Sequence, residues 1–286
     1  MAGSLVRARR RSRVLPVPAR PGLLECIERY HAAAPLPDAR IERAGALDVP
    51  LGDPSWPYPA RPRRGTDSKV TVADVRAALD LQDAAGLPGA LEWIPECTPE
   101  VAAAARAAGL EIDVLPLLVA DEPVELLFPA GVRLYVVGAE DPELSHYQEV
   151  SAVAFANPGG PADVQASRPE PVRQETVGTA ALRERIATGR TVMMVAIERG
   201  VPVAVGLHQP VDVDGAVVSE IVGLATAPRL RGRGLGAGIA SALVAHARET
   251  ADLVFLAAGD DDVARVYERI GFARLATLGV AEPPAG

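Results

Sequence analysis

The sequence predicts an α/β protein in two unequal parts, with a mixed sheet flanked by helices in the second part. Three observations indicate this fold class. A glycine-rich turn at residues 227–236 connects a strand-like apolar segment to a helical pattern. The order helix, strand, helix, strand occurs before residue 120 and again after residue 231. Three successive strand-like segments are joined by short turns at 198–200 and 212–215, which predicts antiparallel hairpins.

The first part contains three amphipathic segments separated by strand-like runs. In the first segment Leu23, Ile27 and Tyr30 share one face at helical spacing. Thr98 is the expected N-cap of the third helix, and Gly109 ends it. The predicted elements are a helix at 22–34, an irregular proline-rich loop at 50–65, a helix at 71–85, a strand at 91–94, a helix at 98–109 and a strand at 112–119.

The second part follows a linker at residues 121–130. Asp141, with Pro142 behind it, is a possible N-cap of its first helix. A loop rich in proline and glycine at 157–178 has the length of a binding loop or lid, although some loops of this kind are disordered. The predicted elements are a strand at 132–137, helices at 141–156 and 180–187, strands at 191–197, 201–208 and 217–226, a helix at 239–247 and a strand at 253–257.

The bulk composition excludes several classes of protein. The chain has 286 residues, a formal net charge of −8 and a pI near 5.2, which argues against general nucleic-acid binding and weakly favours a cationic or amine partner. No apolar run is long enough to predict a membrane helix. Cys26 and Cys97 form no disulfide framework or metal motif, so a reducing cytoplasm is the expected location.

The predicted organisation is a basic tail, a degenerate first half and an active second half. Residues 1–20 carry six arginines and no acidic residue, and we interpret them as a disordered tail. Aligning Gly109 with Gly271 superposes the segments 102–110 and 264–272, which predicts an internal repeat. The predicted boundaries are 21–128 for a non-catalytic half and 129–286 for a catalytic domain. Ala105 stands in the first half where Tyr267 stands in the second.

The glycine-rich turn predicts an anion site. Glycines between a strand and a helix let several backbone N–H groups approach one anion, and the helix dipole favours its negative charge. Gly232, Gly234 and Ala237 also fit the dinucleotide pattern G-x-G-x-x-G/A. A dinucleotide fold needs further strand–helix repeats downstream, and about fifty residues are too few for them.

A different family accounts for more of these residues. Arg231-x-x-Gly234-x-Gly236 resembles the signature of the GNAT superfamily, the acyl-CoA-dependent N-acyltransferases. The segment 219–226 is similar to the central strand of that family, and Val266-Tyr267-Glu268-Arg269-Ile270-Gly271-Phe272 is similar to its closing helix. The resemblance covers roughly residues 131–280. It implies a GNAT-like mixed sheet, with a truncated GNAT-like half before it.

The resemblance implies acetyl-CoA as co-substrate. Backbone groups of the central strand would bind the pantetheine arm where that strand splays from its neighbour, and the turn would bind the pyrophosphate. The implied binding residues are Leu224, Ala225 and Thr226 on the strand, and Arg231, Gly232, Arg233, Gly234, Leu235, Gly236 and Ala237 in the turn. Asp260 replaces an asparagine that the family often has, which makes a coenzyme contact there doubtful and an N-cap role more natural.

Two residues are candidate catalysts. Glu220 stands in an otherwise apolar strand, where a carboxylate with a raised pKa suits a general base acting through water; an exposed strand glutamate is the alternative. Tyr267 keeps its proton at neutral pH and is suited to protonate the departing thiolate. His208 is a candidate acceptor contact at the end of its strand. The remaining histidines lack ligand spacing, so no metal is expected.

The predicted function is acetyl transfer from acetyl-CoA to a primary amine by direct transfer. The absence of cysteine from the proposed site disfavours an acyl-enzyme route. A non-catalytic acyl-CoA-binding regulatory module is the alternative. The sequence does not choose among a small-molecule amine, a peptide N-terminus and a lysine, nor between a monomer and a homodimer. No nucleic-acid or membrane partner is expected.

Overall fold

The computed structural model describes residues 20–122, 124–157 and 177–284. The helices are α1 (Arg20–Ala33), α2 (Val72–Ala84), α3 (Val101–Ala108), α4 (Leu144–Ala156), α5 (Val177–Ala187), α6 (Leu235–Ala247) and α7 (Asp261–Glu268). The strands are β1 (Ala39–Ala44), β2 (Leu47–Gly52), β3 (Arg61–Pro62), β4 (Leu91–Trp93), β5 (Glu111–Ala120), β6 (Val132–Val136), β7 (Val192–Glu198), β8 (Val201–Val213), β9 (Ala216–Thr226), β10 (Leu253–Ala257) and β11 (Phe272–Glu282). The predicted tail, apart from Arg20, and most of the 157–178 loop lie outside these ranges.

The strands form one small sheet and one large sheet. The small sheet is antiparallel, with the order β1-β2-β3. The large sheet has the order β4-β11-β5-β10-β9-β8-β7-β6, and its β9–β10 pair is parallel while the other pairs are antiparallel. This confirms the predicted mixed sheet flanked by helices and the smaller α/β part before it.

The two halves of the chain exchange their last strands. β5, from the first half, lies between β10 and β11, and β11 lies between β5 and β4. The β5–β11 ladder runs from Phe272 opposite Ala120 to Glu282 opposite Glu111. In the predicted internal repeat β4 and β5 correspond to β10 and β11. With that correspondence, each final strand pairs with its counterpart and with the penultimate strand of the other half. Gly109 and Gly271, which the repeat aligns, have φ angles of 96° and 93°.

Helices cover both faces of the large sheet. α6 and α7 pack on one face, and α1 and α4 pack on the other. Successive side chains of β5 point to opposite faces. Leu118 is therefore fully buried in the core under α6 and α7, while Leu117 is fully buried against Tyr30 and Phe255 on the α1 side. One strand of the first half thus contributes to both layers of the core of the second half.

A hairpin was missing from the sequence-based prediction. β1 and β2 pair over their whole length, and Pro50 in β2 stands opposite Ile41. The predicted irregular loop at 50–65 is therefore wrong at its start. Proline is tolerated here because the β2–β3 ladder covers only Leu47 and Asp48. The side of Pro50 that faces away from β1 consequently has no neighbouring strand, as expected for proline in a sheet.

Two predicted helix caps are wrong, and one predicted strand is too short. α3 begins at Val101, and the Thr98 hydroxyl donates to the Ile94 carbonyl at 3.4 Å instead of capping it. α4 begins at Leu144, and Asp141 accepts from the Glu143 N–H at 2.9 Å in the preceding turn. β8 continues to Val213, so His208 lies inside its strand and not at its end. The division at residues 128 and 129 stays a prediction, because one sheet continues across it.

Leu118→Ala should lower the free energy of unfolding by about 2–5 kcal/mol, because it leaves a cavity under helices of the other half. Val114→Ala in the same strand should cost less than about 1 kcal/mol, because Val114 is 57 % exposed. Urea unfolding of both variants measures the difference. Equal losses in the two variants would contradict the role of β5 in the shared core.

Candidate active site

The turn after β9 ends in an uncapped helix N-terminus. A short 3-10 helix at Pro228–Leu230 leads to Arg231, which is extended, and α6 begins at Leu235. Gly232 and Gly234 have φ angles of 78° and 76°, in a backbone region that residues with a side chain rarely adopt. Gly234 occupies the N-cap position and has no side chain to accept from the first turn. The amide N–H groups of residues 235–237 therefore have no acceptor within the helix, which makes the turn suitable for an anion.

The two arginines of the turn contact other parts of the protein. Arg231 donates to the carbonyl oxygens of Ala154 and Asn157, at 2.8 and 2.7 Å, at the C-terminal end of α4. Arg233 binds both carboxylate oxygens of Glu198, at 3.0 and 2.7 Å, and this pairing lowers the pKa of the glutamate. Both guanidinium groups therefore brace the turn. The Arg231 N–H donates to the Pro228 carbonyl at 3.4 Å, so the anion donors of the turn are the backbone N–H groups that follow Arg231.

β9 separates from β10 halfway along its length. The parallel ladder joins residues 218–220 of β9 to β10, but β9 continues to Thr226. A bulge at Gly223 and Leu224 lies opposite Gly206 of β8, and Gly223 has a φ angle of 61°. A side chain at Gly206 would clash with Leu224, so the glycine lets the bulge pack closely. Among the residues that the structure describes, 221–226 therefore have no strand partner on the β10 side, and they lead directly into the turn.

Glu220 lies where the two strands diverge. It is the last β9 residue paired with β10, opposite Phe255. Its partly buried side chain faces three residues of the first half: Tyr30 in α1, Arg61 in β3 and Glu92 in β4. Burial, with a smaller contribution from Glu92, raises the pKa of Glu220 to about 7, while Arg61 and the Tyr30 hydroxyl act in the opposite direction. The desolvation of the carboxylate outweighs the nearby positive charge.

These three neighbours were not identified from the sequence. Tyr30 was assigned to an apolar helix face, where it packs at 5.0 Å from the Phe255 ring, and its hydroxyl also donates to the Gln209 carbonyl at 3.2 Å. Arg61 and Glu92 form an ion pair that is mostly shielded from solvent. No sequence signal links them to Glu220, because α1, β3 and β4 reach it only through the shared sheet.

Tyr267 lies on the inner face of α7. Its side chain is 9 % exposed, and its ring is 5.8 Å from that of Phe272. Burial raises the pKa of the phenol to about 12, so it holds its proton throughout the neutral range. Asp260 caps α7 by accepting from the Val263 N–H at 2.7 Å, which confirms the N-cap role predicted for one of these aspartates.

His208 is buried on the face of the sheet that packs against α6, opposite to the face towards which Glu220 points. Its Nδ1 lies 2.9 Å from the Ser219 hydroxyl, and its Nε2 lies 3.0 Å from Nδ1 of His246 in α6. His208 pairs with Ile221, the residue after Glu220. The side chains of His208 and Glu220 therefore point to opposite faces of the sheet. Burial lowers the pKa of His208 to about 4. Because the ring is 2 % exposed and both nitrogens are occupied, the prediction of an acceptor contact is withdrawn.

Polar contacts hold the loop before β3 against α5. Asp38 accepts from the Tyr58 hydroxyl at 2.9 Å and forms ion pairs with Arg185 and Arg190. The Arg185 guanidinium also stacks 4.3 Å from the Trp56 ring, and Trp56 packs on the core beneath α4. The first half thereby forms one wall beside the sheet face that carries Glu220.

The first half has an equivalent strand gap, but its own chain fills it. If the predicted internal repeat is extended to the preceding strands, β2 and β4 correspond to β9 and β10. Between them, Ala60 donates to the Ala90 carbonyl and accepts from the Glu92 N–H, both at 2.9 Å. On the other side β3 pairs with β2, and the Arg63 N–H donates to the Ala46 carbonyl at 2.8 Å. Residues 60–63 thus occupy the space that is open between β9 and β10.

Comparison with protein families indicates the class of protein. Residues 163–272 match the acetyltransferase (GNAT) family model. The chain therefore contains a GNAT acetyltransferase domain, and this family takes acetyl-CoA as acetyl donor and amines as acceptors. No curated protein matches the chain significantly. Within the described ranges, no helix is long and apolar enough to cross a membrane.

Solved structures extend the similarity to most of the chain. A GCN5-related N-acetyltransferase from Kribbella flavida is 25 % identical, with a TM-score of 0.63, over 90 % of this chain and 95 % of that one. A GNAT-family protein from Novosphingobium aromaticivorans is 16 % identical, with a TM-score of 0.54, over 91 % and 96 %. A tandem GNAT protein from the clavulanic acid biosynthesis pathway is 20 % identical, with a TM-score of 0.50, over 85 % and 80 %. The last two similarities concern the fold.

Proposed function

We propose that the protein transfers an acetyl group from acetyl-CoA to a primary amine by direct attack within a ternary complex. The observation that carries this proposal is the position of Glu220, at the point where β9 and β10 separate. From that carboxylate, the chain runs along the gap between β9 and β10 at residues 221–226 and then to the uncapped start of α6.

Acetyl-CoA fits this path by its chemistry. The pyrophosphate carries negative charge, which the N–H groups of residues 235–237 and the dipole of α6 favour. The pantetheine arm contains amides, which can pair with the free backbone groups of Leu224, Ala225 and Thr226 as an added strand does. Arg231 and Arg233 would contribute by keeping the turn in shape, and Gly232 and Gly234 by allowing the pyrophosphate to approach.

The reaction removes two protons from the acceptor ammonium group and supplies one to the departing thiolate. Glu220, as a carboxylate, would take a proton from the ammonium group of the acceptor through a water molecule. The amine nitrogen then attacks the thioester carbonyl, the C–S bond breaks as the amide forms, and the nitrogen releases its second proton to water. Tyr267 would donate its proton to the departing thiolate. The roles suit the two groups, because Glu220 has a pKa of about 7 and Tyr267 a pKa of about 12.

The positions of the cysteines favour direct transfer. The two cysteines of the chain, Cys26 and Cys97, both lie in the first half. Burial, with further contributions from Glu28 and Glu96, raises the pKa of the Cys97 thiol to about 12, and burial also raises the pKa of Cys26. Thiols that stay protonated are poor nucleophiles, so neither is suited to carry an acetyl group.

The first half would not bind acetyl-CoA, because residues 60–63 fill its strand gap. We assign residues 21–128 to this non-catalytic half and residues 129–286 to the catalytic domain. Tyr30, Arg61, Glu92 and Trp56 all come from the first half, so it would shape the acceptor side of the site. A small-molecule amine and a peptide amine both remain compatible with that arrangement.

Gly234→Ala should weaken acetyl-CoA binding about tenfold, because a side chain at a φ angle of 76° strains the turn that holds the pyrophosphate. Gly215→Ala is the matched control: its φ angle is 86°, it also has open space around it, and it lies in a distant hairpin turn. Calorimetric titration with acetyl-CoA measures both affinities. Equal affinities in the two variants would show that the turn does not contribute to acetyl-CoA binding.

Glu220→Gln should lower kcat/KM by about 10²–10⁴ while acetyl-CoA affinity stays within a fewfold of the parent. In the parent, kcat/KM should rise with pH through about 7 as the carboxyl group loses its proton, and the variant should lack this rise. Thiol release with a panel of primary amines measures both. Glu249→Gln, at an exposed position, is the control.

A structural role for Glu220 gives a different result. Its folded-state pKa is above the unfolded value, so the carboxyl group destabilises the folded protein as pH rises from about 4.5 to about 7. The Gln variant should therefore be as stable as the parent, or more stable, above pH 7. A variant that loses both stability and acetyl-CoA binding would argue that Glu220 only supports the fold.

Tyr267→Phe should lower kcat much more than it lowers acetyl-CoA affinity, because the ring stays packed and only the donated proton is lost. Tyr135→Phe is the control, since Tyr135 is 45 % exposed on the edge strand β6. Single-turnover thiol release and calorimetry separate turnover from affinity. Unchanged turnover in Tyr267→Phe would exclude Tyr267 as the acid.

Acetyl-CoA binding by the parent without turnover on any amine would favour a regulatory binding module.

A further inference from the structure

Tyr30 of α1 lies over Glu220. The two neighbours of Glu220 across the sheet are Gln209, opposite it in β8, and Phe255, opposite it in β10. Tyr30 contacts both of them: its hydroxyl donates to the Gln209 carbonyl at 3.2 Å, and its ring packs edge-on against the Phe255 ring at 5.0 Å. Residues opposite each other in a sheet point to the same face. The phenol therefore spans the place from which the Glu220 side chain projects.

The surroundings of Tyr30 fix its ring. The side chain is fully buried, in one core cluster with Ile27, Val218 and Phe255. The His31 ring contacts it edge-on at 5.6 Å, and burial keeps the pKa of His31 well below its usual value, so this neighbour is neutral. Burial also holds the pKa of the Tyr30 phenol well above its usual range. Tyr30 therefore keeps its proton, and only the direction in which the hydroxyl donates can change.

The Tyr30 hydroxyl has one proton and two acceptors. The distance of 3.2 Å to the Gln209 carbonyl is longer than the usual O–H···O distance of about 2.7–2.8 Å, so this hydrogen bond is weak. The hydroxyl also interacts with the Glu220 carboxyl group, and this interaction lowers the pKa of Glu220. A carboxylate is a stronger acceptor than a neutral group. The preferred partner of the hydroxyl therefore depends on whether Glu220 is ionised.

The charged groups nearby do not provide such a donor. Arg61 of β3 and Glu92 of β4 face Glu220, but they are paired with each other, and their effects on its carboxyl group are opposed. Two further groups act on Tyr30 at longer range, and both are bonded to Asp38: Tyr58 and Arg185. The neutral Tyr30 hydroxyl is thus the neighbour whose hydrogen bond can follow the protonation of Glu220.

We propose that Tyr30 is a positioning residue for Glu220. Its hydroxyl donates to the carboxylate while Glu220 is ionised, and it turns to the Gln209 carbonyl when Glu220 holds the proton taken from the acceptor. Tyr30 itself neither gains nor loses a proton. One carboxylate oxygen is held by the hydroxyl, which leaves the other for the water that relays the proton. This inference rests on the role proposed for Glu220 as base, and it gives α1 of the first half a task in each turnover.

Tyr30→Phe removes the hydroxyl and keeps the ring. Without this donor the ionised form of Glu220 is less stable, so the midpoint of the rise in kcat/KM should move from about pH 7 to about one unit higher. Measured with the same amine, the ratio of variant to parent should be about one tenth below about pH 6 and within about twofold of one above about pH 9. A merely structural loss would lower kcat/KM by the same factor at every pH. Tyr147→Phe removes another buried hydroxyl, which interacts with Asp141, and should leave the midpoint unchanged.

Infrared difference spectra measure the same midpoint without turnover. The protonated carboxyl band that Glu220→Gln lacks should titrate about one pH unit higher in Tyr30→Phe than in the parent. An unchanged midpoint in these spectra would overturn the proposal. A shifted midpoint in a protein that acetylates no amine would support the positioning of Glu220 by Tyr30 and count against the proposed function alone.

If Tyr30→Phe does not fold, the parent protein provides the test. With tyrosine labelled at the ζ-carbon, one resonance should shift with pH at the Glu220 midpoint, because the hydroxyl changes its acceptor there. Glu220→Gln should lose this step. A parent protein without the step would contradict the proposal.

Discussion

The antiparallel ladder between β5 and β11 is the interaction on which the rest of the structure depends. It joins the final strands of the two halves over ten residues of β5. Because those strands are exchanged, the first half is built into the sheet of the second and is more than an appended module. α1, β3 and β4 consequently come to lie beside β9. The surroundings of Glu220 are therefore determined by residues that are 128 to 190 positions away in sequence.

The electrostatics of the proposed base follow from that arrangement. Tyr30, Arg61 and Glu92 shield Glu220 from water, and burial then raises its pKa more than Arg61 and the Tyr30 hydroxyl lower it. Arg61 has its own partner in Glu92, which reduces its effect on Glu220. A carboxyl group that titrates near neutral pH is thus a product of both halves of the chain.

Local signals in the sequence were sufficient for the features that depend on few neighbours. The glycine turn before α6, the Asp260 cap and the aligned helix ends at Gly109 and Gly271 all follow from backbone geometry over a few residues. Strand exchange depends on pairing between distant segments, which no local pattern contains. The β1–β2 hairpin was hidden by Pro50, and His208 was misjudged because the face of a strand residue depends on register.

The filled gap between β2 and β4 has a thermodynamic consequence. Its backbone groups are satisfied by covalently attached chain, so their hydrogen bonds persist whatever the metabolite supply. On the proposed function, the backbone groups of β9 that face the gap find partners only when acetyl-CoA binds. A ligand that binds the second half should therefore raise its free energy of unfolding directly. The β5–β11 ladder would extend this stabilisation to the first half. On this proposal the first half keeps its gap closed in every ligand state, and only the second half responds to the ligand.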